Sequence, residues 1–304
     1  MAAHQRGADA TALGRLLIQA PGAVVSLALV VTISEALFNW LVVWLIALSW
    51  LASGALFFHR PAELALSRTL LRLRPPSDEE RLRLDPVWRE VTARAGIEAH
   101  SYDLMVEKSN DLNAFAVAGH VVGVTTYALR EVPSSNLAAI LAHELGHHTG
   151  GHAWSGLLGQ WYSLPARLAW KLLRLCAALA IRVASLFSLA GAGVLVLVMG
   201  TALVCGLIAM PFVFIPLIVS PYLVAYVARR GELRADAHAS ALGFRPQLAE
   251  VLRYHQAQEA STRAWNEARR IRQRRPGAMA RLLSNHPDID TRLAALEGLA
   301  RQDL

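Results

Sequence analysis

The sequence predicts a mainly α membrane protein: two transmembrane helical hairpins and a soluble α+β domain with a small β-sheet. Three observations predict it. Of 304 residues, 54% are hydrophobic and 17% charged, and mean hydropathy is +0.35, more apolar surface than one globular core hides. Three stretches carry no formal charge: 19 residues between Arg15 and Glu35, 23 between Glu35 and His59, and 46 between Arg182 and Arg229. Between the second and third of these, short runs of alternating apolar residues precede a strongly helical pattern.

After a cytoplasmic N-terminal segment, residues 1–15, the first two stretches give helices of about 28 and 35 Å at 1.5 Å per residue, which matches a hydrocarbon core of roughly 30 Å. They form a predicted hairpin over 16–58. A cleaved signal peptide fits poorly, since its apolar region runs only ~7 to 15 residues and a second span follows at once here. The third stretch would be about 69 Å long as one helix, so 183–228 is predicted to cross and return. Its turn is expected at Gly200 to Gly206, with Pro211, Pro216 and Pro221 bending the returning helix.

Arginines flank both hairpins: Arg6, Arg15, Arg60, Arg68, Arg72 and Arg74 around the first, and Arg167, Lys171, Arg174, Arg182, Arg229, Arg230 and Arg234 around the second. By the positive-inside rule both termini and all soluble segments are cytoplasmic. Arg167, Lys171 and Arg174 at helical spacing fit either a helix lying on the membrane surface or the first turns of the third span.

The soluble domain is expected from two pieces, 59–182 and 229–304. In the first, Pro75-Pro76 breaks a helical pattern, Ser77 with Glu80 reads as a capping box, Pro86 suits a helix N-terminus and Gly96 a C-cap. Tyr102, Leu104 and Val106 alternate as in a strand, and 114–117 and 121–126 read as two more, joined by a turn at Gly119-His120. A helix starts near Ser134 or Ser135, with Leu137, Ile140, Leu141 and Leu145 as its buried stripe. In the second piece, helices are expected through Ala239, from about Pro246 to Arg270, and over roughly Asp290 to Leu299. An arginine-rich turn with Arg272, Arg274, Arg275 and Pro276-Gly277 divides the last two.

The net charge is +7, and only Lys108 and Lys171 of the 30 basic residues are lysine. The excess sits at the edges of apolar runs, not on a basic face with interleaved aromatics, which argues against nucleic acid. Cys176 and Cys205 both lie in or beside apolar runs, so neither a disulfide framework nor a cysteine-rich metal site is available. A metal would have to be held by His and carboxylates.

The helix after the strands carries His143-Glu144-Leu145-Gly146-His147. Residues four apart share a helix face, so both imidazoles can reach one Zn²⁺ at about 2.0 to 2.1 Å while Glu144 stands beside them to handle protons. A catalytic zinc takes a third protein ligand, for which His148, His152, Glu232, Asp236 and His238 are candidates. His148 points about 100° away from His147 around the helix, and His152 lies beyond Gly150-Gly151. Glu232 is favoured, because the second hairpin leaves the membrane on the side where this helix enters it. Asp236, one turn on, is placed to hold a liganding imidazole in one tautomer.

These residues resemble the HtpX-type membrane metalloproteases, relatives of the CAAX prenyl proteases, whose pattern is H-E-x-x-H followed after membrane spans by E-x-x-x-D. Here the second element is Glu232-Leu233-Arg234-Ala235-Asp236. Ala95-Gly96-Ile97, Asn113-Ala114-Phe115-Ala116, His286-Pro287 and Arg292-Leu293 agree as well. Val117-Ala118-Gly119 departs from the family's usual Thr-Gly, and 153–182 matches no motif. The resemblance implies a zincin-like catalytic domain and a zinc-dependent endopeptidase, with one Zn²⁺ per chain on His143, His147 and Glu232. It further implies a multi-pass protein of the inner membrane, acting with quality-control partners on membrane or misfolded proteins in stress. Glu144 would be the general base, His286 would stand near the active site as an oxyanion stabiliser, and Asn113, Ala114, Phe115 and Ala116 would bind substrate as an added strand. Rival readings are a prenyl-protein processing peptidase, a zinc-binding membrane scaffold or sensor without turnover, and a small transporter. The last lacks the ionisable groups within its spans that transporters use.

Overall fold

The computed structural model describes residues 9–269 and 282–302; the arginine-rich turn lies outside the described residues. The chain divides into two compact units. One gathers the described parts of Met1–Gly14, Ala55–Leu157 and Ala225–Leu304, and the other holds Arg15–Gly54 and Leu158–Val224.

The second unit is helical and apolar on its outside. Among the described residues four helices are long and apolar enough to cross a membrane: α1 (Ala10–Leu37), α2 with the 3₁₀ turn that ends it (Trp40–Phe58), α9 (Leu189–Ala209) and α10 (Pro211–Ala241). Asn39 caps α2 by accepting from the Val42 N–H. The expected turn at Gly200 to Gly206 is instead continuous helix, and the chain breaks at Met210 (φ −131, ψ 58). The reason is local: the ring of Pro211 drives the residue before it out of the α region, whereas glycine is tolerated inside apolar spans. Pro216 and Pro221 lie inside α10. After α7 (His152–Tyr162), the basic stretch is a helix of its own, α8 (Leu164–Phe187), packed along α9. Extended Ser188 separates it from the third span and caps α9 through the Gly191 N–H.

In the first unit, α3 (Arg60–Thr69) and α4 (Asp78–Ala95) precede the sheet. The capping box of α4 forms between Ser77 and Glu80, and left-handed Gly96 (φ 66) ends the helix. Pro86 sits inside α4, not at its start. The capping box nucleates the helix two turns earlier, and the carbonyl that loses its partner belongs to Leu82, whose side chain is exposed.

Strands β1 (Asp103–Glu107), β2 (Ala114–Val117) and β3 (Val121–Thr125) form one sheet in the order β1-β3-β2. β1 runs parallel to β3, pairing Asp103 with Val121, and β2 runs antiparallel to it, pairing Phe115 with Gly123. The turn between β2 and β3 takes its positive φ at Ala118 (51°), not at Gly119. Gly119 serves close approach instead: a Cβ there would stand 3.1 Å from the carboxylate of fully buried Glu63, which accepts the His120 backbone N–H.

After α5 (Thr126–Glu131), helix α6 (Ser134–Thr149) runs through the middle of the unit. It is buried on nearly every side, against α4, β2 and α11 (Arg245–Ala268). Leu137, Leu141 and Leu145 join Leu84 and Val91 of α4, Val106 and Val124 of the sheet and Leu248 of α11 in the core. Each such side chain contributes roughly 1.5–3 kcal/mol by burial. α10 ends before left-handed Gly243 (φ 86), and α12 (Ile289–Gln302) completes the unit.

Candidate metal centre

The core packing of Leu137, Leu141 and Leu145 fixes the rotation of α6, so His143 and His147 face α10. Glu232 comes from α10, and its two oxygens meet the two rings: Oε1 lies 3.3 Å from His147 Nε2 and Oε2 3.7 Å from His143 Nε2. All three ligand atoms lie within 4.8 Å of one another. Four ligands about 2.05 Å from a tetrahedral ion are separated by about 3.3 Å, so this donor set has the spacing and chemistry for a zinc-like cation. His143 and Glu232 are buried and His147 half-buried.

The outer nitrogens of both rings are also occupied. His143 Nδ1 lies 2.8 Å from Asp236 Oδ1. Asp236 is 1% exposed and receives the Arg292 guanidinium on both oxygens, at 2.8 and 2.6 Å. Arg292 Nη1 is also 3.7 Å from Glu232. His147 Nδ1 meets the Nδ1 of His152 at 3.2 Å.

Glu144 is buried beside the cluster, next to the backbone of Ala116 in β2. Burial pushes its carboxyl above the usual carboxylate range, an effect that His147 and His143 partly oppose. Asn113 and Thr125 exchange bonds toward β3, and since the pleat alternates, Ala114 and Ala116 present their backbone groups to the other edge, beside α6. His286 is largely exposed, with Nδ1 3.3 Å from Glu232 Oε2.

The structure thus brings His143, His147, Glu232, Asp236, Glu144, Ala116 and His286 together. Of the other third-ligand candidates, His148 turns into the core and bonds the Val121 carbonyl at 3.0 Å, His238 packs against Gly146, and His152 stands behind His147. Sequence reasoning assigned Arg292 no part and did not consider Asp9, which reaches His152. Asp9 carries a local signal, an N-cap residue before an apolar run; Arg292 carries none beyond its place in the quoted resemblance.

The model of peptidase family M48 matches residues 78–300 of the chain. No curated protein matches it.

Proposed function

The chain belongs to peptidase family M48 and is a metallopeptidase with membrane-length helices; from that premise we propose that it is a zinc-dependent endopeptidase whose ion is held by His143, His147 and Glu232. The observation that carries this reading is the Glu232 carboxylate facing the Nε2 atoms of both α6 imidazoles. Held there, zinc would supply Lewis-acid chemistry to the scissile carbonyl and to an attacking water. Glu144 takes the proton from that water and returns it to the departing amine. Its raised affinity for a proton, from burial, suits both halves of that task. Asp236 accepts from His143 Nδ1 and keeps Nε2 bare for the ion, and Arg292 holds Asp236 in place. His286, at the exposed side of the cluster, stabilises the oxyanion.

Substrate binds as an extended segment along the free edge of β2. The register of β2 on β3 leaves the backbone groups of Ala114 and Ala116 to an incoming strand. Main-chain pairing of this kind reads little side-chain identity, which suits unfolded segments of membrane proteins. The arginine bias of the soluble flanks supports a reaction at the cytoplasmic face, and the resemblance to the HtpX-type proteases supports an inner-membrane role in protein quality control.

The test is cleavage of an unfolded model protein by the full chain in detergent. Cleavage should stop with a chelator and return with added zinc; cleavage that resists the chelator defeats the proposal.

A further inference from the structure

The two imidazoles of the cluster are held from behind in different ways. His143 leans on a carboxylate of α10, Asp236, whereas His147 leans on a second imidazole, His152, through an Nδ1 to Nδ1 contact of 3.2 Å. Two ring nitrogens bond only when one carries a proton and the other is bare. The far side of His152 decides which. Its Nε2 lies 3.1 Å from Asp9 Oδ2 and 2.7 Å from Thr11 Oγ1. The carboxylate can only accept, and the Thr11 hydroxyl donates its one proton to Asp9 Oδ1, so a lone pair is what it offers His152. Nε2 of His152 therefore carries the proton, its Nδ1 is bare, and that atom accepts the Nδ1 proton of His147. His147 is left with a bare Nε2, the atom that faces Glu232.

The arrangement is built, not incidental. The His152 ring fits between two glycines, and a Cβ at Gly150 or Gly231 would come within 3.0 or 3.3 Å of it. Asp9 is fixed at four points: its N–H bonds the Gly150 carbonyl at 3.1 Å, Oδ1 accepts the Thr11 and Ala12 N–H groups at 2.8 Å each, and Oδ2 accepts Arg234 at 2.6 Å.

We propose that Asp9 and His152 are positioning residues of the metal centre: the segment just ahead of the first apolar helix sets the tautomer and ring orientation of His147. This rests on the reading of His147 as a ligand. Partners that orient a liganding histidine typically change metal affinity 10- to 100-fold when lost, and that is the effect expected here.

Asp9→Asn is the informative variant, because Oδ1 can still cap the helix while an NH₂ donor replaces the acceptor at His152. His152→Ala removes the link and leaves the Asp9 cap and its Arg234 bond in place. In the full chain in detergent, competition with a chromophoric chelator should show zinc affinity lower by about 10- to 100-fold in each. The visible spectrum of the Co²⁺ form should change in both, and the double variant should lose no more than the weaker single, since one chain of bonds is cut twice. Wild-type affinity and an unchanged Co²⁺ spectrum in both singles overturn the proposal, as do losses that multiply in the double. His147→Ala separates the two levels. If it still binds zinc as the wild type does, the ligand assignment itself fails; if it loses zinc while Asp9→Asn and His152→Ala keep it, only the positioning role fails.

Discussion

Gly146, the residue before His147 in the H-E-x-x-H motif, is predicted to set how closely α10 approaches α6. A Cβ on Gly146 would stand 2.9 Å from Ala235 Cα, 3.2 Å from Ala235 O and 3.2 Å from His238 Cβ. Non-bonded carbons rest about 3.5–4.0 Å apart, so in Gly146→Ala the helices must separate by about 0.6–1 Å, and the backbone of Ala235 cannot swing aside. Ala235 lies between Glu232 and Asp236, so both carboxylates retreat with it. The 3.3 Å gap from Glu232 to His147 then opens to about 4 Å, away from the ~3.3 Å edge of four-coordinate zinc, and the 3.7 Å gap to His143 widens with it. Overpacking of this kind costs roughly 1–3 kcal/mol, against the ~1 kcal/mol that Gly→Ala gains inside a helix. The expected result is a net loss of stability and at least about tenfold weaker zinc binding, near 1.4 kcal/mol, with every ligand intact. Chelator competition and chemical unfolding in detergent measure both. Gly298→Ala is the control, since nothing lies within 4 Å of its Cβ. A Gly146→Ala protein that is more stable than wild type and binds zinc equally well would refute the close-contact argument.

Two further predictions concern pH and stability. Burial pushes the His148 imidazole down to about 3, while the unfolded chain titrates near 6.5, so between these values the unfolded state binds more protons and stability falls as pH drops. The loss amounts to about 2 kcal/mol by pH 5, and unfolding curves at pH 7.5 and 5 should show His148→Phe losing correspondingly less. Glu80, bonded by Arg74 and by the Ser77 N–H, has its carboxyl held down at about 2. Its contribution is therefore complete above about 4.5 and lost as pH falls toward 2. Glu80→Gln keeps an acceptor for the Ser77 N–H and removes the charge that faces Arg74, so it should cost about 1 kcal/mol or less at pH 7 because the ion pair is partly exposed, and the gap to wild type should close in acid; a pH-independent gap would contradict this.

Local chemistry wrote much of this protein legibly. Charge-free runs of membrane length, the Ser77 and Glu80 capping box, the alternation around Val106, the apolar run around Val122, and the four-residue spacing of His143 and His147 each depend on neighbours in sequence, and each element is present. Where a local signal has two uses, reading it fails. Proline starts helices, yet Pro86 lies within one because Ser77 nucleates earlier. Glycine makes turns, yet Gly200 and Gly206 sit inside α9 while the chain breaks before Pro211. Contacts between distant residues that carry no motif leave no pattern. The reason for Gly146 lies at Ala235, and the support of His147 lies at Asp9, 138 residues earlier. Arg292 becomes part of the site only when α12 folds back onto Asp236.

The central claim is that Glu144 does chemistry beside a metal that other residues hold, and Glu144→Gln addresses it most directly. Assayed in detergent for zinc content and for cleavage of an unfolded protein, that variant should retain one zinc per chain and lose cleavage. Cleavage equal to wild type would contradict the account.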